Sequence, residues 1–60
     1  MVGTITPWGV EWKTPNGWES AAFRTEAVAL REAAKISKRA NVISVVIVHP
    51  NGHHSLYQGT

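Results

Sequence analysis

The sequence contains no cysteine and no aspartate, and four acidic residues stand against six basic ones. Without thiols the chain can form neither disulfides nor thiolate-ligated zinc sites. The absence of cysteine fits a reducing compartment, where disulfides are rare, so we expect a cytoplasmic location. The formal net charge is only +2, which permits a nucleic-acid partner but does not require one.

Long apolar runs are also missing. An uninterrupted run such as residues 45–48 is far shorter than the ~20 residues that a membrane-spanning helix needs. The first residues lack the basic start and the apolar stretch of a signal peptide. We therefore expect no membrane partner.

The shortness of the chain limits its stability. Sixty residues suffice for a single small domain, which we take to span 1–60. A chain of this length buries only ~60% of the surface that its unfolded form exposes. Small domains compensate with disulfides, a metal or a second subunit. Because disulfides are excluded, we expect a homodimer.

Two identical tripeptides predict two hairpins. Proline, asparagine and glycine follow one another at 15–17 and again at 50–52. Proline presets φ for a turn, asparagine tolerates the next position, and glycine accepts a positive φ. The first turn would join strands at 10–13 and 18–23, and the second would join 42–48 to 53–58.

The segment between the hairpins predicts a helix over 26–39. It contains no glycine or proline and is rich in alanine, and Thr25 is a suitable N-cap. At ~100° per residue one broad arc is apolar or small, comprising Ala29, Leu30, Ala33, Ala34, Ile36, Ser37 and Ala40 with Ala27 at its edge, while Val28 points out among the charges. Asn41 is a candidate stop.

These elements predict an α+β fold in the order β-β-α-β-β. We expect a four- or five-stranded, mainly antiparallel sheet with one helix on one face, residues 4–6 being the candidate fifth strand. Residues 42–48 are β-branched on both faces except for Ser44, which is typical of a central strand. One helix leaves the other sheet face without a cover.

Several short motifs occur along the chain in a distinctive order, namely Gly9-Val10 with Trp12, Phe23-Arg24-Thr25, Ala29-Leu30 with Ala33, the stretch 45–49, Asn51-Gly52, and Tyr57-Gln58-Gly59. With these motifs the layout resembles a family of short bacterial and phage domains of unknown function. The resemblance covers nearly the whole chain and implies the same strand-strand-helix-strand-strand fold. It implies no activity, because the family has none established.

An excess of aromatic and β-branched side chains indicates an interaction surface. Trp8 and Trp12 share a face if the first strand is regular, and Trp18 is a candidate neighbour across the hairpin. An alanine-lined helix cannot cover three indoles and both faces of 42–48, so apolar surface remains for a partner. We therefore predict a non-enzymatic module that docks on another macromolecule, such as a phage-type regulator or inhibitor of a host protein. The predicted contact residues are Trp8, Trp12, Trp18 and Val28.

A second candidate function uses the basic side of the helix. Five of the six basic residues gather there, namely Arg24, Arg31, Lys35, Lys38 and Arg39. Such a stripe can follow nucleic-acid phosphates. Glu32 lies among these residues and weakens the stripe. Accessory nucleic-acid binding is therefore the alternative to protein docking.

The chain offers little for catalysis or cofactors. His49, His53 and His54 flank the second turn, but adjacent strand residues point to opposite faces and no carboxylate lies near them in the sequence, so we predict no metal site. Ser44 and Ser55 could approach His49, yet no aspartate exists to orient the imidazole. We expect no enzyme activity, no cofactor and no small-molecule substrate.

Overall fold

The computed structural model describes residues 7–58. These residues form four strands and a helix in the predicted order. The elements are β1 (Trp8–Thr14), β2 (Gly17–Phe23), α1 (Glu26–Ser37), β3 (Ser44–Val48) and β4 (His54–Leu56). The predicted α+β class is confirmed, and the candidate extra strand at 4–6 lies outside the described residues.

The first hairpin is tighter and longer than its sequence suggests. β1 and β2 pair from Trp8 with Phe23 down to Thr14 with Gly17, which leaves a two-residue loop. Gly17 has a φ of +123°, a conformation that disfavours any side chain with a Cβ. The buried Thr14 hydroxyl donates to the Gly17 carbonyl at 3.0 Å and accepts from the Asn16 amide at 3.2 Å, so the turn satisfies its own polar groups.

The sheet is fully antiparallel with the strand order β2-β1-β3-β4. The first hairpin therefore joins the second through β1 and β3, which are central, while β2 and β4 form the edges. In the second turn the His49 amide donates to the His53 carbonyl at 2.8 Å, and the Gly52 amide donates to the His49 carbonyl at 2.9 Å. Gly52 has a φ of +90°, as its turn position predicts.

The helix begins as predicted and ends earlier. The Thr25 hydroxyl accepts a hydrogen bond from the Val28 amide at 3.2 Å, which confirms the N-cap. The amides of Lys38 and Arg39 bond to carbonyls three residues back, Lys35 and Ile36. Such bonds tighten the last turn and end an α-helix. The helix therefore stops at Ser37, and both the predicted end at residue 39 and the stop at Asn41 are wrong.

The hydrophobic core lies between α1 and one face of the sheet. It consists of Val10, Trp12, Ala29, Ala33, Ile36, Val45 and Ile47. Ala29 and Ala33 are completely buried. Because their side chains are small, the helix backbone can lie close to the sheet. The apolar arc is narrower than predicted, because Ala27, Ala40 and Leu30 are exposed, Leu30 to 40%.

The β-branched run begins its strand two residues late. The Val42 amide bonds to the Arg39 carbonyl at 3.2 Å, which holds Val42 in the turn after the helix. The next amide, that of Ile43, already reaches the Lys13 carbonyl of β1 at 2.8 Å.

Within residues 7–58 the helix is too short and too polar to cross a bilayer.

Candidate functional site

The helix α1 does not cover the opposite face of the sheet, and we call this surface the open face. Strand alternation and the pairing register assign its members. They are Gly9, Glu11 and Lys13 of β1, Trp18, Ser20 and Ala22 of β2, Ser44, Val46 and Val48 of β3, and His54 and Leu56 of β4.

The three tryptophans divide between the two faces of the sheet. Trp12 is only 7% exposed and belongs to the core. Trp8 is half-buried against the same core. Trp18 pairs with Lys13 rather than with either indole, which places it on the open face, where it is 56% exposed. Of the three predicted contact indoles, that of Trp18 is therefore the most exposed to a partner.

Val28 also differs from its predicted placement. It was expected to point out among charged side chains, but it is half-buried on the first helical turn. The structure does not bring Val28 together with Trp18, because α1 packs on the other face of the sheet.

Apolar side chains on the second hairpin complete the open face. Leu56 is 62% exposed, and Val46 and Val48 beside it are half-buried. Leu56 was not among the predicted contact residues. Its alternation with Tyr57 is visible in the sequence, but only the strand register reveals that Leu56 pairs with Val46 on the uncovered side.

Two opposite charges lie in the middle of the open face. Glu11 and Lys13 are two residues apart on the central strand β1, so both side chains project from the same side. Glu11 is half-buried and Lys13 is exposed. The ion pair among the described residues is that of Lys35 and Glu32, with 3.5 Å between Nζ and Oε2. Within the described part of the chain, Glu11 and Lys13 have no salt-bridge partner.

A cleft of about 210 Å³ lies where the short strand β4 ends. It is lined by Ser37, Val42, Ile43, Ser44, Val45, Leu56 and Tyr57. Pockets for drug-sized molecules measure roughly 300–1,000 Å³, so this cleft is smaller than such a pocket. Leu56 links it to the open face.

The basic side chains around α1 are all exposed but do not act alike. Arg31 and Lys35 are one turn apart on the solvent side, and Lys35 is paired with Glu32. The Arg39 guanidinium lies over the Trp12 ring, 5.8 Å from its centroid. Arg39 therefore also helps to cover the core. Arg24 and Lys38 lie just outside the two helix ends.

Imidazole side chains gather at the second hairpin. His49 Nε2 lies 2.9 Å from the Ser55 hydroxyl, one of the two serine contacts that the sequence suggested. The other, with Ser44, is wrong, because Ser44 pairs with Lys13 at the opposite end of β3. The His49 ring lies 4.9 Å from the Trp8 ring and 5.3 Å from the His53 ring, centroid to centroid. Among the hydrogen bonds of residues 7–58, none joins His49 to a carboxylate. The cluster ties the second hairpin to the start of β1.

The three histidines do not converge. His54 pairs with Val48 on the open face, whereas His49 lies on the helix side of the sheet beside Trp8. Within residues 7–58, no three histidine or acidic side chains come together as a metal site would require.

Comparison with known proteins gives no match: no family model, no curated protein and no solved structure matches the chain. The observed β-β-α-β-β layout is the one implied by the resemblance to short bacterial and phage domains. Membership of that family stays a prediction.

Proposed function

We propose that this protein is a small non-enzymatic interaction module that docks through its open face, and that a second copy of the chain is the first partner. The observation that carries the proposal is the exposure of Trp18 and Leu56 on a sheet face that the helix leaves uncovered. Large aromatic and aliphatic side chains of this kind serve as anchors in protein interfaces.

The remaining open-face residues support this function. Val46 and Val48 are half-buried in the single chain, so a partner would remove further apolar surface from water, which favours association. A small domain without disulfides gains stability from such burial. Docking on a different protein, as a phage-type regulator or inhibitor would do, is the competing outcome for the same surface.

Sedimentation of paired variants tests the proposal. We expect the wild-type protein to show a concentration-dependent monomer–dimer equilibrium. Leu56→Ser and Trp18→Ser should each weaken it by at least ~10-fold, because both remove exposed anchors. Leu30→Ser is the matched control, since Leu30 is also an exposed leucine but lies on the helix. A wild-type protein that stays monomeric, or a loss caused equally by Leu30→Ser, contradicts the proposal.

The second candidate is nucleic-acid binding through the basic side of α1. It is favoured by the exposure of Arg24, Arg31, Lys35, Lys38 and Arg39. Binding through phosphates weakens steeply with salt. Arg31→Glu with Lys38→Glu is the cleanest test, because neither residue covers the core or forms the Lys35–Glu32 pair. Absence of a salt-sensitive mobility shift at low ionic strength removes this candidate.

We place this module in the cytoplasm. The support for this location is the absence of cysteine from the sequence, which fits a reducing compartment, where disulfides are rare. A fractionation of cells that express the protein tests the location, and recovery in a secreted fraction would contradict it.

A further inference from the structure

We propose that the second copy packs face to face on the open face, so that Glu11 of each copy pairs with Lys13 of the other. The two copies would be related by a two-fold axis that runs between the two sheets, perpendicular to the strands, at the level of Trp12. This pairing rests on the proposed function and specifies its partner and its geometry.

The order of residues along β1 makes the open face complementary to itself. Glu11 and Lys13 carry opposite charges on one strand and flank Trp12. An axis that lies in the interface, perpendicular to the strands and midway between Glu11 and Lys13, exchanges the levels of these two residues. Each carboxylate therefore faces an ammonium group of the other copy. A two-fold interface is self-complementary by necessity, since residue i meets j and j meets i. The sequence Glu-Trp-Lys meets that requirement.

The same axis also determines which side chains of the neighbouring strands meet. It lays each strand over its own counterpart, so β3 lies over β3 and β2 over β2. Val46, which pairs with Glu11, then lies over Ser44 of the second copy, and Trp18, which pairs with Lys13, lies over Ser20 of the second copy. Packed sheets are ~10 Å apart, a distance that a glutamate and a lysine side chain can bridge together.

Charge explains why a second copy suits this face better than a purely apolar partner. Burying an ion without a counterion is costly, whereas a reciprocal pair offsets much of that cost. An apolar partner would cover Glu11 and Lys13 without pairing either. A second copy pairs both at once.

The size of the open face predicts a weak dimer. The strands β1, β2, β3 and β4 contain 7, 7, 5 and 3 residues, which at ~4.8 Å spacing and ~3.3 Å rise give a projected area of roughly 350 Å². Each partner of a standard interface buries ~800 Å². We therefore expect dissociation in the micromolar range or above, within reach of analytical ultracentrifugation.

The test uses two charge reversals, separately and mixed. Glu11→Lys places two lysines on the face and Lys13→Glu places two glutamates there, so each variant should self-associate on the order of 100-fold more weakly, because like charges meet twice across the axis. An equimolar mixture should recover affinity close to that of the wild type, since every lysine then meets a glutamate. Arg31→Glu, a charge reversal on the helix, should leave the dimer intact.

The outcomes separate this geometry from the function on which it rests. Recovery in the mixture supports the two-fold pairing, and it also shows that both variants are folded. A mixture no tighter than its components, or single variants that associate like the wild type, overturns the pairing. If Leu56→Ser still abolishes the dimer in that case, the docking function stands without this geometry. A monomeric wild-type protein overturns both.

Discussion

Two tryptophans of this protein occupy opposite environments, one in the core and one on the surface. Trp12 is buried between the sheet and α1 and is covered in part by Arg39, whereas Trp18, six positions later, lies on the neighbouring strand and on the opposite face of the sheet. The difference follows from strand parity, since a shift of one position moves a side chain to the other face.

Replacement of Trp12 tests its place in the core. Trp12→Ala should lower the free energy of unfolding by about 3–5 kcal/mol, the range for large aromatic residues replaced in cores. In a domain this small such a loss leaves little or no folded protein. Urea denaturation, read by circular dichroism at a concentration below dimer formation, gives the measurement. Trp18→Ala is the control and should change the value by less than ~1 kcal/mol.

Two glycines separate backbone conformation from packing. An alanine at Gly17 would meet no atom within 4 Å, yet φ there is +123°, so Gly17→Ala should destabilise the protein by ~1–3 kcal/mol through backbone strain alone. At Gly9 the added Cβ would lie 3.5 Å from the Val48 Cβ, an ordinary contact. Gly9→Ala should therefore be neutral or stabilise by up to ~1 kcal/mol. Equal losses at both positions in thermal unfolding would contradict this account.

At the scale of elements, α1 depends on its first turn. The helix has twelve residues, close to the length at which isolated helices are marginal in water. Its N-terminal amides depend on Thr25, and its stability comes mainly from the packing of Ala29, Ala33 and Ile36. The loss of either support should therefore be visible in the folding of the whole domain.

Removal of the N-cap hydroxyl isolates the first of these supports. Thr25→Ala deprives the Val28 amide of its acceptor and should cost ~1 kcal/mol of unfolding free energy. Thr25→Ser keeps a hydroxyl and should stay within a few tenths of the wild-type value. Chemical denaturation of the three proteins side by side gives the comparison. A serine variant as unstable as the alanine variant would show that the hydroxyl does not act as the cap.

At the scale of the whole molecule, stability and assembly are linked. A domain with one helix on one sheet face is marginally stable alone, and a second copy that binds only the folded form raises its stability by mass action. Folding and self-association should therefore respond together to protein concentration.

Thermal unfolding measures this linkage. We expect Tm to rise with protein concentration across the range in which the dimer forms. Leu56→Ser should remove this dependence while leaving the secondary structure intact, because Leu56 is exposed and lies outside the core. A wild-type Tm that is independent of concentration from micromolar to millimolar protein would argue against coupled assembly.

Local sequence signals were sufficient to predict the two hairpins, the helix and their order along the chain. The repeated turn tripeptides fixed two hairpins, since glycine alone accepts the backbone of Gly17 and Gly52 without strain. Thr25 and the alanine-rich stretch determined the helix start. The end of α1 at Ser37 and the start of β3 at Ser44 were not predictable. The first depends on i→i−3 hydrogen bonds, and the second depends on the contact between Ile43 and β1.

The pairing of the strands and the face on which α1 packs determine which side chains form the candidate site. Alternation defines two faces for every strand, but it does not say which face receives the helix or how one strand registers with the next. The pairing of Trp18 with Lys13 and of Leu56 with Val46 places these residues together on the open face. Local sequence patterns specify local structure, whereas a surface built from four strands depends on contacts between residues far apart in the chain.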